Sequence, residues 1–138
     1  MRLSDYERLL DRARSALPAT IFERKRFKVP LPTQVILGSK TVIQNYGKIC
    51  KDLNRDPRHL LRFLLRELGT AGMMDGHRAI LQGQFPEDVV KRVFKRYVDD
   101  FVICPICKRP DTRIIRERRL QFLLCEACGA KSSLGYLR

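Results

Sequence analysis

Histidine is scarce in this chain: His59 and His77 are the only two, and neither sits in an H-E-x-x-H or H-x-E arrangement. That removes the usual ligand sets of catalytic zinc, which pair histidine or a carboxylate with an open coordination position. Glycine is absent before Gly38. A phosphate-binding loop needs a first glycine five residues ahead of a Gly-Lys pair, so Gly38-Ser39-Lys40-Thr41 is not one, and nucleotide hydrolysis by this chain is not expected. The segment reads instead as a strand-to-helix turn. No apolar run approaches the ~20 residues of a membrane span, and Met1-Arg2-Leu3-Ser4-Asp5 lacks the apolar stretch of a signal peptide. A soluble, cytoplasmic protein with no membrane partner is expected.

What is present begins with cysteine. Four of the five fall as Cys104-Pro105-Ile106-Cys107, then a gap of seventeen residues, then Cys125-Glu126-Ala127-Cys128. Two Cys-x-x-Cys turns supply four thiolates, which close the tetrahedral shell of a structural zinc site and leave no position for water or substrate. One structural Zn²⁺ per chain is expected, in a module of about forty residues too small to fold on apolar burial alone. Cys50 lies on an apolar stripe and reads as a small buried hydrophobe, not a fifth ligand. Thiolates on zinc also fit a reducing compartment better than a disulfide scaffold does.

Acidic residues are outnumbered. Lys and Arg total 28 against 15 Asp and Glu, a formal charge of +13. An excess of this size points to a polyanionic partner, RNA or the ribosome, because each neutralised phosphate releases counterions. The excess is mostly central, with 16 basic against 7 acidic residues between 21 and 98.

The spacing divides the chain into three: residues 1–20, 21–98 and 99–138. Ser4 and Glu7 match a capping box, and Tyr6, Leu9, Leu10, Ala13 and Leu17 recur at helical spacing until Pro18. So short a helix must dock its stripe, either on its own core or in the groove of a partner. The basic stretch 23–32 that follows reads as a tether. In the central region Gln34 to Leu37 reads as a strand ending at Gly38, and a helix is expected from Thr41 through Leu53. After a tight turn at Asn54-Arg55, Asp56-Pro57 caps a second helix that runs to Gly69. Arg58, Arg62 and Arg66 repeat every four residues along it and are candidate nucleic-acid contacts; helix-turn-helix DNA recognition is one reading of the pair, a solvated face another. Met73 to His77 contains an Asp-Gly turn, and with the strand Arg78 to Gln82 it forms a hairpin. Helices on a small antiparallel sheet make this an α+β core.

Pro86 opens a linker helix over 86–98 with Val89, Val90, Val93, Phe94 and Tyr97 as its stripe. It leads into the cysteine module, where relative motion is expected. There Thr112 to Glu117 and Leu120 to Leu124 are strand-like, and Leu134 to Leu137 is expected as an edge strand. Arg113, Arg116, Arg118 and Arg119 cluster at the bend as further candidate RNA contacts.

The ordered set of motifs resembles the beta subunit of archaeal translation initiation factor 2 over nearly the whole chain. It is carried by Gly38-Ser39-Lys40-Thr41 with Asn45, by residues 53–64 (Leu-Asn-Arg-Asp-Pro-Arg-His-Leu-Leu-Arg-Phe-Leu), by Glu67-Leu68-Gly69-Thr70, by Tyr97-Val98 with Val102-Ile103-Cys104, by Arg109-Pro110-Asp111-Thr112, and by Cys125 to Ala130. The resemblance implies a non-catalytic subunit of a heterotrimer. In it a gamma subunit binds GTP, an alpha subunit completes the assembly, and the complex carries initiator methionyl-tRNA to the small ribosomal subunit. It also implies that the N-terminal helix docks on gamma, here through Tyr6, Leu9, Leu10 and Ala13, followed by an α+β core and a four-cysteine zinc ribbon. Two other readings share these parts: a DNA-binding transcription factor, and a GTPase-activating factor of the initiation-factor-5 type. The latter should offer an arginine finger from a poorly structured tail, where this chain has an amphipathic helix and Arg2.

Overall fold

Two tight glycine hairpins organise the centre of the molecule. The computed structural model describes residues 2–19 and 27–135. Strand β1 (Gln34–Leu37) turns through Gly38 and Ser39 into β2 (Lys40–Ile43), with Leu37 opposite Lys40. Strand β3 (Gly72–Asp75) turns through Gly76 and His77 into β4 (Arg78–Gln82), with Asp75 opposite Arg78. Gly38 and Gly76 both hold φ near +60°, the left-handed conformation that a two-residue hairpin demands at its first turn position. β2 pairs with β4, giving an antiparallel sheet of order β1-β2-β4-β3.

The strand β2 corrects the helix expected from Thr41. Thr41, Val42 and Ile43 are all buried, so this inner strand shows no polar alternation, and its apolar residues run on into the helical stripe that follows. The helix α2 is Tyr46–Asp52. Asn45 precedes it and ties down the incoming chain: its amide donates to the Leu31 carbonyl (2.8 Å) and its Oδ1 accepts from the Thr33 N–H (2.8 Å).

Helix α3 (Pro57–Leu68) forms as its punctuation dictates. Asp56 accepts from the Arg58 N–H (2.9 Å), Pro57 occupies the first position, and Gly69 closes the helix in the left-handed conformation. Helix α4 runs Glu87–Phe101, past the span 86–98 expected for it, with Pro86 as its N-cap. It buries Val90, Phe94, Tyr97, Val98 and Phe101, while Val89 and Val93 are half-buried. Together α2, α3 and α4 cover one face of the sheet, against Ile43, Ala79 and Leu81. Phe63, Tyr97 and Phe101 join His59 in an aromatic cluster with ring centroids 5.1 to 5.7 Å apart. Gly72 is required for this packing, because a Cβ there would lie 2.6 Å from the Ile80 carbonyl and 2.8 Å from a Leu65 methyl. Cys50 is 2% exposed within the core, as its place on the stripe predicts.

The C-terminal module is a three-stranded antiparallel sheet of β5 (Thr112–Glu117), β6 (Leu120–Cys125) and β7 (Lys131–Leu134). The edge strand therefore begins three residues before the position expected, and residues 136–138 lie outside those described. Ile114 and Leu134 pack against the central core.

Helix α1 (Leu3–Ser15) stands apart. None of its residues is buried: Leu3 is 83% exposed, Tyr6 56% and Leu9 54%. The expected capping box does not form. The helix begins one residue before Ser4, with Arg2 as the N-cap, whose side chain has no acceptor to offer. Asp5 pairs instead with Arg8 at 2.6 Å. Of the basic stretch read as a tether, residues 23–26 lie outside the described residues.

Candidate metal centre and basic surfaces

The two Cys-x-x-Cys segments fold as matching knuckles. Cys104 lies just past α4, and its carbonyl accepts from the Lys108 N–H (3.0 Å) while its N–H donates to the Arg109 carbonyl (3.0 Å). In the second knuckle the Cys125 carbonyl accepts from the Gly129 N–H (3.0 Å) and its N–H donates to the Ala130 carbonyl (2.9 Å). The turn-closing residues Lys108 and Gly129 both hold positive φ, 60° and 75°. In each knuckle the first sulfur accepts from a backbone N–H of its own turn, though from different positions: Cys104 Sγ from Ile106 (3.4 Å) and Cys125 Sγ from Cys128 (3.5 Å).

All four sulfurs lie within 4.8 Å of one another. Cys104 and Cys128 approach to 3.7 Å, Cys107 and Cys125 to 3.5 Å. Zn–S bonds of about 2.3 Å set edges of about 3.8 Å in a regular tetrahedron, so the cage fits a zinc-sized ion. Backbone N–H groups of the knuckle, that of Cys107 foremost, hold the Cys104 thiol down at about 6, and the N–H of Cys128 lowers Cys125. Desolvation and the neighbouring sulfurs push Cys107 up to about 12. A cation among the sulfurs removes that opposition, since a coordinated thiol is deprotonated outright. The four cysteines can thus bind a metal ion through sulfur alone. The closed set leaves no ligand position for substrate.

The candidate nucleic-acid residues fall into two groups. Arg58, Arg62 and Arg66 are exposed on the outer face of α3. The second group lies on the β5–β6 hairpin: Arg113 faces Glu126 at 3.5 Å, the Arg116 Nε–H donates to the Arg118 carbonyl (3.3 Å), and Arg118 and Arg119 form the exposed turn. Arg118 holds φ at 57° without being glycine. On α1, Tyr6, Leu9, Leu10 and Ala13 are exposed along one stripe.

One arginine escaped the sequence reading. Arg55 is 7% exposed, in the turn between α2 and α3, and its side chain is saturated with acceptors. Its Nε–H donates to the Phe101 carbonyl (3.1 Å). Its Nη2 donates to the same carbonyl (2.8 Å) and to Thr112 Oγ1 (2.6 Å), and its Nη1 to the carbonyls of Thr112 (2.7 Å), Asn54 (2.9 Å) and Leu53 (3.2 Å). Burial lowers its pKa. Nothing in the run Asn54-Arg55-Asp56-Pro57-Arg58 separates this arginine from exposed Arg58; the distinction is made by Phe101 and Thr112, far along the chain. Nearby, His59 Nδ1 meets the Tyr97 hydroxyl at 2.8 Å, and His77 offers its carbonyl to the Gly47 N–H (2.9 Å). Both histidines are structural in these contacts.

Comparison with known proteins agrees with the combination of core and knuckles. Residues 18–131 match the family model described as a domain found in initiation factors 2B and 5. The chain is 55% identical over 130 residues to translation initiation factor 2 subunit beta of Methanosphaera stadtmanae, covering 94% of this chain and 92% of that one. It is 48% identical over 134 residues to the protein of the same name from Methanopyrus kandleri, covering 97% of each. For Methanococcus vannielii the identity is 45% over 130 residues and 94% of each chain. With an α+β core, a four-sulfur cage and archaeal relatives matched nearly end to end, the chain belongs to the beta-subunit family of translation initiation factor 2, whose role is non-catalytic.

Proposed function

We propose that this chain is the beta subunit of a heterotrimer that delivers initiator methionyl-tRNA to the small ribosomal subunit, and that α1 docks it on the GTP-binding gamma subunit. The observation that carries the docking is the exposure of the α1 stripe. Tyr6, Leu9, Leu10 and Ala13 face solvent together, although a 13-residue helix is marginal alone in water and needs a surface to hold it. Burying each large apolar side chain is worth about 1.5–3 kcal/mol, enough over such a stripe for stable association. In this reading residues 1–20 dock, residues 21–98 form the core, and residues 99–138 form the ribbon.

Cys104, Cys107, Cys125 and Cys128 would hold Zn²⁺, which supplies a structural crosslink and no reactivity. The exposed arginines of α3 and of the β5–β6 hairpin would approach RNA phosphates, with the alpha subunit reached only through the assembled complex. Co-purification tests the assembly. The chain expressed with its gamma and alpha subunits should emerge in one complex carrying one zinc per beta chain by elemental analysis. Recovery of the chain alone, or free of zinc, would contradict the corresponding half of the reading.

A further inference from the structure

Arg55 is a buried cation that meets no carboxylate at salt-bridge distance among the described residues. A charge in that position is expensive unless every donor is used. Here every donor is used, and the acceptors come from three separate places: the α2–α3 turn itself, the last turn of α4 at Phe101, and Thr112 at the first residue of β5. The Thr112 hydroxyl in turn donates to the Val102 carbonyl. Thr112 is also directly paired with Cys125 across β5 and β6, and Val102 lies two residues before Cys104. One guanidinium thus joins the core to the backbone on both sides of the first knuckle, before Cys104 and after Cys107.

We propose that Arg55 is a latch that positions the ribbon, and with it the metal centre, against the core. Ribbon and core are otherwise joined covalently only through the end of α4, and among the described residues the ribbon's hydrophobic side chains packed on the core are the half-buried Ile114 and Leu134. A latch of hydrogen bonds converts that junction into a defined orientation, because releasing it leaves the carbonyls of Phe101 and Thr112 buried without their donors. Lysine does not substitute, since its point charge cannot span Phe101 and Thr112 with a fixed fork. The inference rests on residues 104–135 being a metal-held ribbon.

The test is backbone ¹⁵N relaxation on the zinc-loaded full chain and on the variants Arg55→Lys and Thr112→Val, with zinc content measured on each sample. Thr112→Val removes the hydroxyl while keeping the side-chain shape, so it remains informative if Arg55→Lys proves poorly folded. With the latch in place, ribbon and core amides differ least in their rotational correlation times. In both variants the ribbon should tumble faster relative to the core, with core amides unchanged and zinc content still one per chain. Relaxation indistinguishable between the variants and the wild type overturns the proposal. Zinc lost only in the variants also overturns it, since Arg55 would then be holding the metal site itself. A wild-type chain free of zinc that still loses its common tumbling on substitution would strike the metal reading and leave the latch standing.

Discussion

At the scale of single residues the two knuckles make a matched experiment. Lys108 and Gly129 hold the same left-handed position, one with a Cβ and one without. A side chain in that conformation costs roughly 1–2 kcal/mol. Gly129→Ala should therefore weaken metal retention, read as an earlier midpoint in a chelator titration, whereas Lys108→Gly should leave it unchanged or delay it. His59 makes a prediction about acid. Its ring is held neutral, first by burial and then by the Arg55 charge, and its Nε2 is buried without a partner among the described residues. The imidazolium would carry an N–H at Nε2 with no acceptor beside it among the described residues. The folded-state pKa lies below the unfolded value near 6.5, so below that pH the unfolded chain binds more protons and stability falls as pH falls. Urea titrations between pH 7 and 5 should show a shallower loss for His59→Phe than for the wild type. The cysteines contribute equally to both proteins, so the difference isolates His59.

At the scale of elements, legibility follows how local the determinants are. Helix α3 is readable because Asp56, Pro57 and Gly69 act through their own backbone, and the knuckles because two Cys-x-x-Cys turns act within four residues. Strand β2 is not, because its burial on both faces erases the alternation that marks a strand and leaves it looking like the start of α2. Strand β7 lies ahead of its expected place because Lys131, Ser132 and Ser133 carry little apolar signal; their position is set by pairing with β6. The latch is illegible for the same reason, its partners lying 46 and 57 residues away. Of the candidate site, the clustering of the four cysteines is legible outright, while Arg55 and its partners are found only in three dimensions.

At the scale of the whole molecule, the proposed metal and the packed core would hold different parts. The central core buries Tyr46, Phe94, Tyr97 and a set of aliphatic side chains without help from sulfur ligation. Among the described residues the ribbon buries only Thr112, Leu123 and the knuckle residues Cys104 and Cys125, too little to hold it by packing, so on the proposed reading its stability comes chiefly from metal affinity. Chelation should abolish amide protection across β5, β6 and β7 while α3 and the central sheet remain protected, as hydrogen exchange would show. A single cooperative loss across both would mean that the ribbon is integral to the core. The proposed contact of the basic faces with RNA is tested at this scale too, since any affinity they give should fall steeply with salt.

Among the described residues α1 is the one helix that buries nothing of itself, and its docking on a partner carries the proposed function. The most direct measurement of that docking is a calorimetric titration of the gamma subunit with the full chain and with a chain lacking residues 1–17. The full chain should bind with a negative heat-capacity change, as apolar burial requires, and the truncated chain, still folded by circular dichroism, should give no detectable binding. Unchanged affinity after truncation would contradict the account and move the docking surface to the core or the ribbon.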